Sequence, residues 1–328
     1  MDTVQIVPQI AENIDILSIG ETVIDLTPAG VSKQGNNLYE KQPGGAPANM
    51  MTQASLLGAK TCINGLVGDD PFGRYLAKVL ESKGISTEGL IYSNKYPTHC
   101  AILELDENGE RSFFSIQTES SLYSFTKEDI RYDLLDRAKI IHIAGAYMSK
   151  PGPLSAVTEI VEYAQEKKKL ISCDINWRPF MYQRSYAQRY ILPVLQKISL
   201  LKLSIDELEL FTDTRDAEKG AAILAETGVP FIVVTLGEEG CFFRYANGAQ
   251  FVQTFPVEVL DTNAAGDAFM GVLLKHIAEY EKLEDISCSE VVKILSVANA
   301  AGALCVTKSG AICAMSTADE IENFIKKK

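Results

Sequence analysis

What most limits the fold of this 328-residue chain is a rhythm. Short apolar runs at residues 14–19, 61–67, 140–144, 170–173, 200–203 and 231–236 alternate with stretches in which apolar side chains recur every three or four positions. Runs so short and so continuously apolar suit strands covered on both faces, and the periodic stretches between them suit crossover helices. Helices are expected over 73–83, 153–168, 217–227, 267–280 and 289–306, several with Gly or Pro just beyond their ends. The expected class is α/β, a doubly wound and mostly parallel sheet flanked by helices.

Two stretches break the rhythm. Residues 99–116 read as a hairpin, with Ile102, Glu104 and Asp106 alternating against Leu103 and Leu105 and the turn signal Glu107-Asn108-Gly109-Glu110 at its tip. Residues 22–43 are expected to pair into a small antiparallel β lid standing off the main sheet. One face of such a lid has no core of its own, so it must cover a cleft, a second subunit, or both. The organisation expected is a discontinuous main domain (14–21, 44–95 and 124–328), a lid (22–43 and 96–123) and an N-terminal extension (1–13).

Composition narrows the function classes. A net charge of −12 argues against a nucleic-acid partner, although small anions can still bind through local backbone dipoles. The seven cysteines, Cys62, Cys100, Cys173, Cys241, Cys288, Cys305 and Cys313, are scattered and form no Cys-x-x-Cys pair, which indicates neither a disulfide framework nor a zinc site. The first dozen residues carry acids and no apolar core, and no run of about 18 apolar residues occurs, so neither secretion nor membrane spanning is expected. A reducing cytoplasm is the expected location.

The chemistry is expected at residues 257–274, Val-Glu-Val-Leu-Asp-Thr-Asn-Ala-Ala-Gly-Asp-Ala-Phe-Met-Gly-Val-Leu-Leu, where a strand pattern passes through small residues into a helix. Ala264, Ala265 and Gly266 are almost bare, so their amides can converge on an anion over the positive end of the helix. Asp267 then stands beside that anion as a base, an arrangement suited to phosphoryl transfer to an alcohol, or it merely caps a buried helix. Gly44-Gly45-Ala46-Pro47-Ala48-Asn49 precedes another helical run at 50–59, where Asn49 offers a donor and an acceptor to hydroxyls. Asp25 falls just past the run 14–19, at a strand's carboxyl end, and the run 231–236 closes in Thr235-Leu236-Gly237-Glu238-Glu239-Gly240.

In this order the motifs resemble those of the ribokinase-like (PfkB) carbohydrate kinases, over residues 15–325. Gly65-Leu66-Val67-Gly68-Asp69-Asp70-Pro71-Phe72-Gly73-Arg74 and Asp174-Ile175-Asn176-Trp177-Arg178-Pro179 look most like fructokinases. The resemblance implies a kinase that moves the γ-phosphoryl group of MgATP to a hydroxyl of a small sugar, with fructose first. Ribose, keto-deoxy sugar acids and adenosine-type nucleosides are the other acceptors it allows. It implies Asp267 as general base, with a depressed pKa from the helix N-terminus, Ala265 and Gly266 as amide donors to the phosphate, and Ala264 as the residue shaping the turn. Asp25, Gly44, Gly45, Asn49, Asn176 and Arg178 fall on the sugar side; for the last two a surface role is the alternative. Lys202, Ser204, Thr235, Gly237, Gly240 and Asn299 fall on the nucleotide side, Asn299 otherwise being an ordinary polar helix residue. Glu207 is implied to hold Mg²⁺ through water, or else caps a helix; Asp261 is implied to bind a monovalent cation such as K⁺, or else starts a turn. A homodimer through the lid is implied as well.

The chain also departs from the family. Many relatives carry Gly where Ala264 stands, Ser204 occupies the Asn position of an Asn-x-x-Glu segment, and Ser115-Ile116-Gln117-Thr118-Glu119-Ser120-Ser121 replaces the Arg and small-residue run that fructokinases place after the lid hairpin. Arg111 is read as solvated, and His99, His142 and His276 as structural. A dinucleotide-dependent oxidoreductase is disfavoured because Ile19-Gly20-Glu21-Thr22-Val23 lacks the Gly-x-Gly-x-x-Gly turn. A catalytically silent sugar or nucleotide sensor would be expected to have lost Asp267 or the anion loop, and the sequence keeps both.

Overall fold

The computed structural model describes residues 13–105, 111–114, 117, 119–179 and 181–328. The hairpin tip expected at 107–110 and all but the last residue of the expected N-terminal extension lie outside the described residues. The strands are β1 (Ile14–Ile19), β2 (Val23–Val31), β3 (Asn37–Gly44), β4 (Thr61–Gly68), β5 (Ile85–Ser93), β6 (Cys100–Leu105), β7 (Arg111–Phe114), β8 (Ala138–Ala144), β9 (Leu170–Asp174), β10 (Leu200–Ser204), β11 (Phe231–Thr235), β12 (Cys241–Tyr245) and β13 (Gly248–Val252). Among the described residues nine of them form one sheet in the order β13-β12-β11-β10-β9-β8-β1-β4-β5. Every pair in it is parallel except those that β12 makes, to β11 and to β13.

All six expected apolar runs are strands of this sheet, and their residues alternate between two cores. On β1, Ile16 packs on one face while Leu17 and Ile19 pack on the other; on β11, Val233 opposes Ile232 and Val234. Helices Ala46–Leu56, Ala265–Ile277 and Cys288–Cys305 cover the first face, Pro151–Glu166 and Ala217–Glu226 the second. Cys288–Cys305 is long and apolar enough to cross a membrane, but it lies against Ala265–Ile277 and buries residues such as Leu295 and Ala298 in this core.

The strand order also locates a site. After β1 the chain builds β4 and β5 on one side, then returns to set β8 on the other, so the order reverses between β1 and β8. Loops leaving two adjacent strands there diverge and open a crevice at their carboxyl ends.

Beside it, helices Ala46–Leu56 and Ala265–Ile277 pack unusually close. A Cβ on Gly271 would stand 2.5 Å from the backbone oxygen of Met50. Gln53 fixes the same region, donating to the Ser316 carbonyl at 2.7 Å and accepting from the Ser316 amide at 3.0 Å. Both helices begin earlier than the periodicity indicates, at 46 rather than 50 and at 265 rather than 267. Gly45, at φ 105°, turns the chain directly into the first, and Ala264, at φ 59°, does so for the second.

The second sheet has the order β3-β2-β6-β7. Its two hairpins, β2/β3 and β6/β7, are antiparallel, and they meet along a parallel β2/β6 seam in which Ile24 faces Cys100. Asp70 ties this sheet to the body. Its carboxylate caps helix Pro71–Ser82 by accepting from the Phe72 and Gly73 amides, and accepts from the amide and hydroxyl of Thr98 just ahead of β6. Replacing Gly271 by valine forces the two close helices apart; Gly271→Val is expected to lower unfolding free energy by about 3 kcal/mol. Denaturant melts of the two proteins check this.

Candidate active site

The crevice is a cleft of about 130 Å³ whose lining includes Glu21, Asp25, Gly45, Asn49, Asn176, Arg178 and Asp267. Space of that size holds on the order of ten waters or one small polyol. Glu21 follows β1, Asn176 and Arg178 follow β9, and Asp25 comes from β2 of the small sheet. The cleft thus lies between the two sheets.

At its floor two helix N-termini converge. Asn49, in the first turn of Ala46–Leu56, donates from Nδ2 to Oδ2 of Asp267 at 2.9 Å, across 218 residues of sequence. Its Oδ1 is buried without a hydrogen-bond partner. The amides of Ala265, Gly266 and Asp267 have no carbonyl one helical turn before them; Ala268 is the first to bond back, to the Ala264 carbonyl at 2.9 Å. Three unpaired amides over a positive helix end make an anion-binding nest. A Cβ on Gly266 would lie 2.8 Å from Nζ of Lys202, which sets that ammonium group directly against the loop. Burial opposes the Lys202 charge, but Asp174, at 2.8 Å, and Glu207 outweigh it and hold the pKa above its ordinary value.

Asp267 corrects one sequence expectation. Its pKa is raised rather than depressed: burial dominates, and Asn49, Lys202 and Arg178 offset only part of the effect. The carboxylate is only 7% exposed, so desolvation weighs heavily on its charged form. Asp25, pushed up to about 7 by burial alone, behaves likewise. Gly44 serves the protein itself, since a Cβ there would strike Oδ2 of Asp25 at 2.0 Å. At Gly45 a Cβ would stand 2.7 Å from the Glu21 carbonyl.

The residues expected on the nucleotide side are less uniform. Ser204 and Thr235 are paired at the ends of β10 and β11, with Gly237 and Gly240 in the following turn. Ser204 caps helix Ile205–Thr212, accepting from the Glu207 amide at 3.3 Å, while Glu207 accepts from the Ser204 amide and, through its other oxygen, from Trp177. Asn299 spends its amide hydrogens on the carbonyls of Val252 and Gln253, which fixes the chain leaving β13. Asp261 accepts from the amides of Asn263 and Gly310 and so braces the loop that carries the nest. His99 and His142 bond Ser120 and Ser172 and are driven to about 4 and about 3 by burial, which makes them neutral structural residues. Arg111 belongs to β7, and its side chain lies outside the described residues.

The sequence reading missed Glu21. The signal was present, an acid directly after the Gly20 turn at a strand's carboxyl end.

A model of the pfkB family carbohydrate kinases matches residues 13–318. The chain belongs to that family. As a pfkB carbohydrate kinase it is a phosphotransferase acting on a sugar hydroxyl. The chain is 34% identical over 316 residues to a probable fructokinase-4 of Arabidopsis thaliana, covering 95% of this chain and 96% of that one. A fructokinase-2 of Oryza sativa subsp. japonica is 34% identical over 317 residues, at 95% and 94% coverage. Among solved structures, a fructokinase from Xylella fastidiosa with bound ATP superposes with a TM-score of 0.86 at 28% identity, covering 95% of this chain and 98% of that one. A double-mutant fructokinase from Vibrio cholerae O395, with fructose, ADP and potassium ion bound, gives 0.83 at 26% identity, covering 96% and 99%.

Ala264 is held at φ 59°, a conformation that costs a non-glycine residue roughly 1 kcal/mol. Ala264→Gly is therefore expected to raise stability by about that amount while leaving the anion loop in place, to be read from the midpoint of thermal unfolding.

Proposed function

We propose that the protein is an ATP-dependent fructokinase in which Asp267 takes the proton of the sugar hydroxyl that receives the γ-phosphoryl group. The single observation that carries the reading is a buried carboxylate with a raised pKa, locked by Asn49 beside three unpaired helix amides. A carboxylate above its ordinary range is a better base at neutral pH than a merely helix-capped one. Fructose is placed ahead of ribose, keto-deoxy sugar acids and nucleosides by the fructokinases among the relatives.

In this reading Asp25 and Asn49 receive sugar hydroxyls, Gly44 and Gly45 keep the wall close, and Asn176 and Arg178 hold the far end of the sugar. The amides of Ala265 and Gly266, with the Ala264 turn and the Lys202 charge, stabilise the migrating phosphoryl group. ATP lies toward Ser204, Thr235, Gly237 and Gly240, with Asn299 shaping the adenine side through the segment it holds. No group of three acidic, His or Cys side chains among the described residues could hold a metal, which fits an ion that arrives on ATP and takes only a carboxylate or two from the protein. Glu207 would hold that Mg²⁺ through water, and the ion supplies charge neutralisation on the phosphates when bound. Asp261 would place a monovalent cation beside the nest, a role supported by the potassium-bound relative.

The homodimer and the cytoplasmic location belong to the same proposal. Val31, Leu38 and Tyr39 expose apolar surface on β2 and β3, which suits lid-to-lid contact between two copies. All seven cysteines are free thiols, as a reducing compartment requires.

Asp267→Asn is expected to lower kcat for fructose by roughly 10²- to 10⁴-fold in an ADP-release assay, and a variant as fast as the wild type ends the proposal. A second check is the pH profile. Protonation of Asp25, at about 7, and of Asp267, raised as well, removes acceptor and base as pH falls, so kcat/KM is expected to drop below about pH 7.

A further inference from the structure

We infer that Glu21 is a recognition residue of the cleft, its Oε2 accepting a hydrogen bond from a sugar hydroxyl other than the one that is phosphorylated. The inference rests on the kinase reading and adds to it a residue and a substrate class. Glu21 stands two residues past β1 at the point where the strand order reverses, only 7% exposed, and lines the cleft together with Asn49 and Asp267. Its Oε2 is fully buried and has no hydrogen-bond partner. Burial pushes the Glu21 carboxyl up to about 7, offset in part by its own amide and by the Ala46 amide at the head of helix Ala46–Leu56, so part of the group is engaged by backbone while Oε2 is not.

A buried acceptor left unpaired is costly, and here there are two, since Oδ1 of Asn49 is in the same condition on the same cleft. With the Asp25 and Asp267 carboxylates they form an array of acceptors in a lining that also carries the donors of Asn176, which bonds Asp267, and of Arg178. Such an array matches a ligand rich in O–H donors. The class selected is a polyol, recognised through its hydroxyl donors.

The test compares wild type, Glu21→Met and Glu21→Gln on fructose and its set of monodeoxy analogues, measuring kcat and KM by ADP release and ATP-free sugar binding by calorimetry. In the wild type, one analogue is expected to lose about 10- to 100-fold in kcat/KM relative to fructose through its missing bond to a charged acceptor. In Glu21→Met that one penalty is expected to vanish while the penalties at the other positions persist; in Glu21→Gln, a neutral acceptor, it is expected to be intermediate. A purely structural Glu21 would weaken every sugar alike, and that result, or penalties identical in all three proteins, overturns the inference. Should Glu21→Met not fold, Glu21→Gln alone decides by whether one position-specific penalty falls. A wild type that turns over no neutral sugar ends the kinase reading, and this inference with it; an active wild type with unaltered selectivity in the variants ends only the inference.

Discussion

The hydrogen bond between Asn49 and Asp267 joins two helix N-termini that lie 218 residues apart in sequence, and the rest of the site is arranged around it. It forms because Gly271 lets one helix lie against the backbone of the other and because Gln53 pins the same seam to Ser316. The convergence sets two positive helix ends at one crevice, between β1 and β8, where the sheet topology alone would leave an open cleft. Packing deep in the body thus fixes the position of a buried carboxylate at the floor of the cleft.

Burial sets the direction of the electrostatics at the cleft. Glu21, Asp25 and Asp267 are all pushed upward by desolvation, and partial compensation for Asp267 comes from Asn49, Lys202 and Arg178. The Lys202 ammonium stands against Gly266 and is balanced by Asp174, so the pair adds nothing to the net charge. An acidic chain can in this way present an anion-binding spot: backbone amides carry no formal charge, and the one buried ammonium is offset by its partner within a total of −12.

Much of this was legible in the sequence because local pattern and tertiary role coincide. The six apolar runs are strands since their residues are covered on both faces, and Asp267, Asn49 and Asp25 follow a helix start, a helix start and a strand end. β5 was not legible, as its polar middle, Ser86 to Glu88, belongs to a sheet edge with one side less covered. The β12/β13 hairpin carried its signal in Asn247-Gly248, a turn pair that an apolar-run search passes over. The raised pKa of Asp267 could not be read at all, because helix position is local whereas desolvation depends on everything packed above it. Nor could sequence position show that Ser204 caps helix Ile205–Thr212 or that Asn299 braces the chain leaving β13, since both depend on hydrogen-bond partners that only the fold supplies.

The small sheet completes the site through strand geometry rather than through its own core. Asp25 sits on β2, opposite Gln42 of β3 and Ala101 of β6, and its carboxylate fills the space beside Gly44 at the foot of β3. A substrate hydroxyl bonded to Asp25 is therefore bonded to both hairpins at once, because the parallel β2/β6 seam makes them one sheet. Asp70 ties that sheet to the body at Thr98, ahead of β6: its Oδ1 accepts from the Phe72 and Gly73 amides of the capped helix and from the Thr98 hydroxyl, and its Oδ2 from the Thr98 amide. The small sheet thus shares Asp70 with the body, rests Lys41 of β3 over the Tyr75 ring of the same helix, and supplies Asp25 to the cleft that Asp267 also lines.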